Sequence, residues 1–362
     1  MRVRARVERS VSTADLLRDE VTRWLAARAG RSEFRRFGHH FEVLDAVLSR
    51  MLSGIRERLL SVPAADSRAA YAACHELDRS LLTVKRLFEW YVPKYDQRLD
   101  PVRGPALAAA DEVVRSCWWQ PFDVLGKRDL AGPLPYLDPF FEAFAVPRAQ
   151  VADELGLAAE LIPVISLPEW SVREAWWLVA AAHETGHVLL HDLDLGYEAR
   201  SVAGDWAEEV FADVYAALMV GPAAAWVVAE LGHGLTADSL YYPPLDRRLS
   251  IMELADPLAA AMLDLEVGGV PLPGLAGVLD ARLVAAWTGS LAVADPVITK
   301  VGARGSARAM IAAGVAARGG PAVQANLLAH LPRCGPEGTM GSTLSRPGVD
   351  ALADRLTRRV LP

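Results

Sequence analysis

The segment that most constrains the fold is a long apolar run, Val172 to Leu190, which carries the pentapeptide His-Glu-Thr-Gly-His at positions 183–187. Its length and apolar content predict a helix that continues through the pentapeptide. On a helix, residues four positions apart leave the same face about one turn apart, so His183 and His187 are expected side by side, with Glu184 next to them. A helix this apolar is expected to be buried.

Two imidazoles and a carboxylate with this spacing predict a zinc site. A catalytic zinc ion takes three protein ligands and keeps a fourth position for water, so a third ligand must lie elsewhere in the chain. Residues 206–213, Trp-Ala-Glu-Glu-Val-Phe-Ala-Asp, are expected to form a second helix. Glu209 is the expected third ligand, with the adjacent Glu208 as the alternative. Asp213, one turn later, is expected to accept a hydrogen bond from a liganding histidine.

The motif HExxH on one helix and ExxxD on the next resembles the gluzincin metallopeptidases over roughly residues 161–222. The metzincin class is excluded, because the position of its third histidine is Leu193. Within the gluzincins the pattern is most similar to ImmA/IrrE-type peptidases, although Asp213 and Tyr215 stand where that group has Asn and Phe. The Asp is closer to membrane peptidases with the same two motifs, so the subfamily stays open.

This resemblance implies a zincin-like core that hydrolyses peptide bonds of protein substrates with Zn²⁺, a metal-activated water and Glu184 as general base. It also implies that the apolar strand expected at 161–167 could pair with an extended substrate, an ordinary sheet strand being the alternative. Related enzymes carry a residue that stabilises the oxyanion at about the position of Tyr242, the expected second catalytic residue. Tyr241, Arg247 and Arg248 lie in the same region.

The segment Pro332-Arg333-Cys334-Gly335 resembles the cysteine switch of matrix metalloproteinase propeptides. That resemblance implies a zymogen in which the Cys334 thiolate is an inhibitory zinc ligand. An activating protease would then cut the segment that follows, residues 338–348. The alternative is a turn with an inert cysteine.

The periodicity of apolar residues predicts a mainly α protein with a small β-sheet, an α+β fold with a zincin-like catalytic core flanked by helical regions. Prolines at 93, 101 and 105 and a Gly/Pro-dense stretch at 268–277 suggest the boundaries. We expect an N-terminal helical domain at 1–125, the metallopeptidase domain at 126–265, and a C-terminal helical region at 266–362 with an inhibitory tail.

Composition excludes several classes of protein. The formal net charge of -7 and the lack of a long Lys/Arg run argue against nucleic-acid binding. The three cysteines favour a reducing compartment, and neither an export signal nor a membrane span is visible, so we expect a cytoplasmic protein. The alternative to an enzyme is a non-catalytic, zinc-stabilised helical interaction protein. A third interpretation, a regulatory protease that cuts a repressor, would need a sensor or DNA-binding module, and none is evident.

Overall fold

The computed structural model describes residues 2–126, 130–139, 143–148, 162–232, 242–294, 296, 305–335 and 345–361. It confirms a mainly helical fold with a small β-sheet. In chain order the α-helices are α1 (Arg2–Ala29), α2 (Gly38–Ser61), α3 (Arg68–Asp96), α4 (Arg103–Leu125), α5 (Ala181–Asp192), α6 (Gly196–Ala203), α7 (Ala207–Val220), α8 (Pro222–Gly232), α9 (Leu245–Met252), α10 (Pro257–Leu263), α11 (Leu272–Ala276), α12 (Ala281–Leu291), α13 (Gly305–Ala316), α14 (Pro321–His330) and α15 (Arg346–Val360).

Short 3₁₀ turns join several of these helices, at Ser32–Phe34, Gln97–Leu99, Glu169–Val172, Ala175–Ala180, Gly204–Trp206 and Leu331–Arg333. The strands are β1 (Leu134–Asp138), β2 (Phe144–Val146), β3 (Val164–Pro168), β4 (Glu266–Val267) and β5 (Val270–Pro271). Along the described residues, every helix is too short or too polar to cross a lipid bilayer.

The first core is formed by α1, α2 and α3 together with the C-terminal helix α15. Apolar residues at three- and four-residue steps form the buried face of α2, from Phe37, just before the helix, through Leu48 to Ile55. Aromatic side chains fill the centre of this core, where Trp24 packs edge-on against Phe41 and Phe88. Helix α15 lies on α2, so the C-terminus of the chain returns to the N-terminal helices.

The second core is built around α4 and contains the two motif-bearing helices, α5 and α7, with α11, α13 and α14 packed beside them. Helix α4 is buried along most of its length because small residues such as Ala109 and Ala110 let neighbours approach from several sides. The expected 1–125 domain therefore divides between the two cores, as does the expected 266–362 region. The domain boundaries stay a prediction.

The three-stranded sheet has the order β1-β3-β2, with β3 parallel to β1 and antiparallel to β2. The strand expected at 161–167 is therefore β3, and all of its residues are buried. The expectation that this strand offers a free edge to a substrate is wrong, because a neighbour is hydrogen-bonded along each of its edges. Among the described strands of this sheet, β1 and β2 are the outer ones.

Candidate metal centre

The His-Glu-Thr-Gly-His pentapeptide lies on α5, as predicted, but the α-helix begins only at Ala181. The apolar residues before it, Ala175–Ala180, form a 3₁₀ turn that leads directly into the helix. At the other end, the buried Asp192 carboxylate accepts hydrogen bonds from Trp118 Nε1 at 2.8 Å and Arg148 Nε at 2.7 Å. The helix that carries the motif is therefore anchored at its C-terminal end to α4 and to the segment after β2.

Helices α5 and α7 are in close contact at Gly186 and Ala212. A Cβ atom at Gly186 would lie 2.7 Å from the Ala212 Cα atom, closer than two such atoms can come, and 3.2 Å from its Cβ atom. Glycine in the first motif and alanine in the second thus allow backbone contact between the two helices. This crossing brings the ligand side chains of the two motifs together.

The structure brings His183, His187 and Glu209 into one group whose ligand atoms all lie within 4.8 Å of one another. The Nε2 atoms of the two histidines are 3.2 Å apart. Glu209 Oε2 lies 3.4 Å from His183 Nε2, and Glu209 Oε1 lies 3.6 Å from His187 Nε2. The predicted ligands converge on one point, and Glu208, the alternative, is exposed to solvent.

Asp213 lies behind the group, as predicted. Its Oδ1 atom is 2.9 Å from His183 Nδ1, although the ring N–H direction departs from that of a linear hydrogen bond. Because a carboxylate only accepts, this contact favours the proton on Nδ1 and leaves the Nε2 lone pair of His183 for a metal ion.

Arg248, on α9, holds Asp213 from the opposite side. Its Nε and Nη2 atoms donate hydrogen bonds of 2.9 Å and 2.7 Å to the two Asp213 oxygens, a bidentate pair. The same Nη2 atom is 3.6 Å from Glu209 Oε2. The guanidinium carbon lies 5.2 Å from the centre of the Tyr242 ring, so Tyr242 is adjacent to Arg248.

The buried charges of the site perturb one another strongly. Burial alone would lower the pKa of His183, but the carboxylates of Asp213 and Glu209 outweigh burial and raise this pKa to about 10. Burial and the charge of His183 lower the pKa of His187 to about 4. Burial would raise the pKa of Glu209 and Asp213, but the adjacent His183 ring and, for Asp213, the hydrogen bonds from Arg248 hold both pKa values below their ordinary values.

Glu184 is buried next to these groups, with only 5% of its surface exposed. Burial raises its pKa to about 7, although the positive charge of His183 opposes the shift. A carboxyl group with such a pKa is suited to gain and lose a proton near neutrality.

The residues present fit a divalent cation. Glu209 Oε2 is buried and accepts no hydrogen bond from any residue that the structure describes, so one strong acceptor faces the point of convergence without a donor. The carboxylates of Glu209 and Asp213 lie close enough to Glu184 to raise its pKa, so negative charge is concentrated at the site, beside the fixed positive charge of Arg248. Imidazole and carboxylate donors together suit zinc and several other divalent metals.

Comparisons of the chain with protein-family models, with curated proteins and with solved structures found no match. The resemblance to gluzincins therefore rests on the motif residues and stays a prediction.

Two other expected site residues lie outside the group. Tyr242 is 43% exposed and contacts Arg248, the side chain that lies between it and Asp213. Tyr241 lies outside the described residues. Cys334 is buried beside α14, where its Sγ atom donates a hydrogen bond to the His330 carbonyl at 3.6 Å. The charged side chains near it include Glu112, Arg115 and Arg36. The structure does not bring Cys334 to the metal-binding group.

Burial raises the pKa of the Cys334 thiol to about 12, which disfavours the thiolate that a metal ligand requires. The alternative of an inert cysteine in a turn fits this arrangement. Segment 338–348, the expected cleavage site, lies mostly outside the described residues.

Proposed function

We propose that this protein is a zinc-dependent peptidase that hydrolyses peptide bonds of protein substrates. The observation that carries the proposal is the convergence of His183, His187 and Glu209 with the buried Glu184 beside them. Two histidines from α5 and a glutamate from α7 give three protein ligands, the number that leaves a catalytic zinc ion one open position.

When bound, Zn²⁺ supplies a water molecule of lowered pKa and a Lewis acid for the substrate carbonyl. The chain's own residues have separate tasks. Glu184 accepts a proton from the attacking water and donates it to the leaving amine, for which its raised pKa is suitable. Asp213 fixes the ring of His183, and Arg248 fixes Asp213.

Strand β2 offers a place for an extended substrate. It is an outer strand of the described sheet and packs against α5, the helix that carries Glu184. A peptide that added to this strand would lie near α5 and be held through main-chain hydrogen bonds, which favours broad sequence specificity. The three cysteines are all free and buried, which supports a reducing compartment such as the cytoplasm.

Latency through Cys334 is not part of this proposal. The thiol contacts His330 and lies near charged side chains of α4, and it is not part of the group formed by the proposed zinc ligands.

The test compares wild-type protein with Glu184→Gln. We expect equal zinc content, measured by plasma emission spectrometry, and a loss of turnover of about 100-fold or more, because the general base is removed while the ligands remain. New protein N-termini should appear in cells that express the wild type and not in cells that express Glu184→Gln. Glu208→Gln, which changes an exposed neighbour of the ligand Glu209, is the control that should keep both properties.

If wild type and Glu184→Gln bind zinc equally and generate the same set of termini, the peptidase assignment fails. The site would then be a structural one, as in a zinc-stabilised interaction protein.

A further inference from the structure

An apolar pocket of about 780 Å³ lies away from the metal-binding group, between the 3₁₀ turn Ala175–Ala180, α8, α12 and α13. Its walls include Trp176, Trp226, Val284 and Val315. The volume is in the range of pockets that hold small organic ligands. Neither zinc ligand helix places a metal-binding side chain in its lining, so the pocket is a separate feature of the fold.

A turn that directly follows α13 forms part of the pocket wall. Arg318, Gly319 and Gly320 all have positive φ angles, of 61°, 67° and 106°. Gly319 packs directly on Trp176, since a Cβ atom there would lie 2.8 Å from the indole ring. The turn and the tryptophan therefore fix each other's position, so this part of the pocket wall is well packed.

Arg318 is the one charged residue among the described residues that line the pocket. It adopts a left-handed conformation that a residue with a Cβ atom rarely takes, which is a strained backbone for an arginine. Its side chain is exposed to solvent and makes neither a hydrogen bond nor an ion pair with any residue that the structure describes. The left-handed turn thus places an unpaired guanidinium at the edge of an apolar cavity.

We propose that this pocket binds an aliphatic carboxylate, such as a medium-chain fatty acid, with the alkyl chain between the tryptophans and the carboxylate on Arg318. The apolar walls favour burial of methylene groups, each of which contributes about 0.8 kcal/mol on transfer from water. The guanidinium supplies the complementary charge and a fork of donors that matches a carboxylate. A neutral alcohol or a cationic amine of equal chain length lacks that match.

The pocket does not depend on the proposed peptidase activity, so it is tested by binding alone. Purified protein is titrated with decanoate by calorimetry, and indole fluorescence reports on Trp176 and Trp226. We expect one decanoate per chain, and affinity for decanol and decylamine lower by about tenfold or more, because a hydrogen bond to a charged group is lost.

The variant Arg318→Gln should weaken decanoate binding by a similar factor and leave decanol binding unchanged, since it removes the charge alone. Arg318→Lys, which keeps the charge, should retain part of the affinity. Saturable decanoate binding that is lost on Arg318→Gln supports the site. No binding, binding of decanol as tight as decanoate, or equal affinity in Arg318→Gln would overturn it, whether or not the protein proves to be a peptidase.

Discussion

At the scale of single residues, Glu208 and Glu209 are adjacent in sequence but have different surroundings. Glu209 faces both histidines from within the protein, whereas Glu208 is exposed. We expect Glu209→Gln to weaken zinc binding by about 100-fold or more. Replacing a residue that only hydrogen-bonds a metal ligand already weakens binding by about 10- to 100-fold, and loss of the ligand itself should cost at least as much. Glu208→Gln should bind zinc as the wild type does. Competition with a chromophoric chelator measures both, and equal affinity in the two variants would contradict the assignment of Glu209.

Arg248 and Arg247 provide a second matched pair. Arg248 holds Asp213 through two hydrogen bonds, whereas Arg247 pairs with Asp256 at 3.1 Å. A lysine cannot reproduce a bidentate contact. We therefore expect Arg248→Lys to weaken zinc binding by about tenfold and Arg247→Lys to leave it unchanged, in the same chelator assay. An unchanged affinity in Arg248→Lys would mean that Asp213 needs no support from α9.

His183 and His187 could be predicted as neighbours because they lie four residues apart on one helix, where the period of 3.6 residues determines which side chains share a face. Glu209 lies on α7, and it was predicted from the spacing of a second motif rather than from that period. Arg248 could not be assigned to Asp213 in this way. The two residues are 35 positions apart, on different helices, and a local pattern carries no information about such a contact. For the same reason the resemblance around Cys334 did not reveal that its neighbours would be Glu112 and Arg115.

At the scale of elements, the crossing of α5 and α7 determines whether the site forms. Gly186→Ala would place a methyl group against the Ala212 backbone, and we expect it to destabilise the protein by about 1–3 kcal/mol and to weaken zinc binding. The control is Gly196→Ala, where no atom lies within 4 Å of an added Cβ and a change within about 0.5 kcal/mol is expected. Denaturant unfolding and the chelator assay measure the two effects. A Gly186→Ala variant as stable and as zinc-binding as Gly196→Ala would show that the helices need not approach so closely.

Helices were predictable where their apolar periodicity was long and strong, as in α2. The apolar run at 172–190 indicated the helix α5 but not its start at Ala181. The strand β3 was also found, but its place in the centre of the sheet was not, because strand order depends on pairing with β1 and β2, which are distant or weakly marked in sequence. Strand β2 has only three residues, too few for an alternating pattern to emerge. The sequence thus predicted which segments form helices and strands better than it predicted which of these elements pack or pair with one another.

At the scale of the whole molecule, the two hydrophobic cores exist independently of the metal-binding group, since neither is built from its ligands. Removal of zinc with a chelator should therefore preserve the helical circular dichroism signal. It should also lower the melting temperature by about 5 °C, because a ligand that binds only the folded state stabilises it. Glu209→Gln should melt at the same temperature with and without chelator. Loss of helix on chelation of the wild type would contradict this account.

The two cores are assembled from segments that are far apart in the sequence. Prolines mark the region around the start of α4, the centre of the second core, and α15 packs on α2 near the other end of the sequence. Both features follow from contacts between distant faces of helices, which a linear scan of the chain does not record.

The central claim is that His183, His187 and Glu209 hold one zinc ion with a position left for water. X-ray absorption spectroscopy at the zinc edge of the purified protein tests it most directly. We expect a first coordination shell of nitrogen and oxygen alone, at about 2.0–2.2 Å, with two imidazole ligands and a signal that collapses in Glu209→Gln. A sulfur ligand at about 2.3 Å, which would require a cysteine, or a purified protein without bound zinc would contradict the claim.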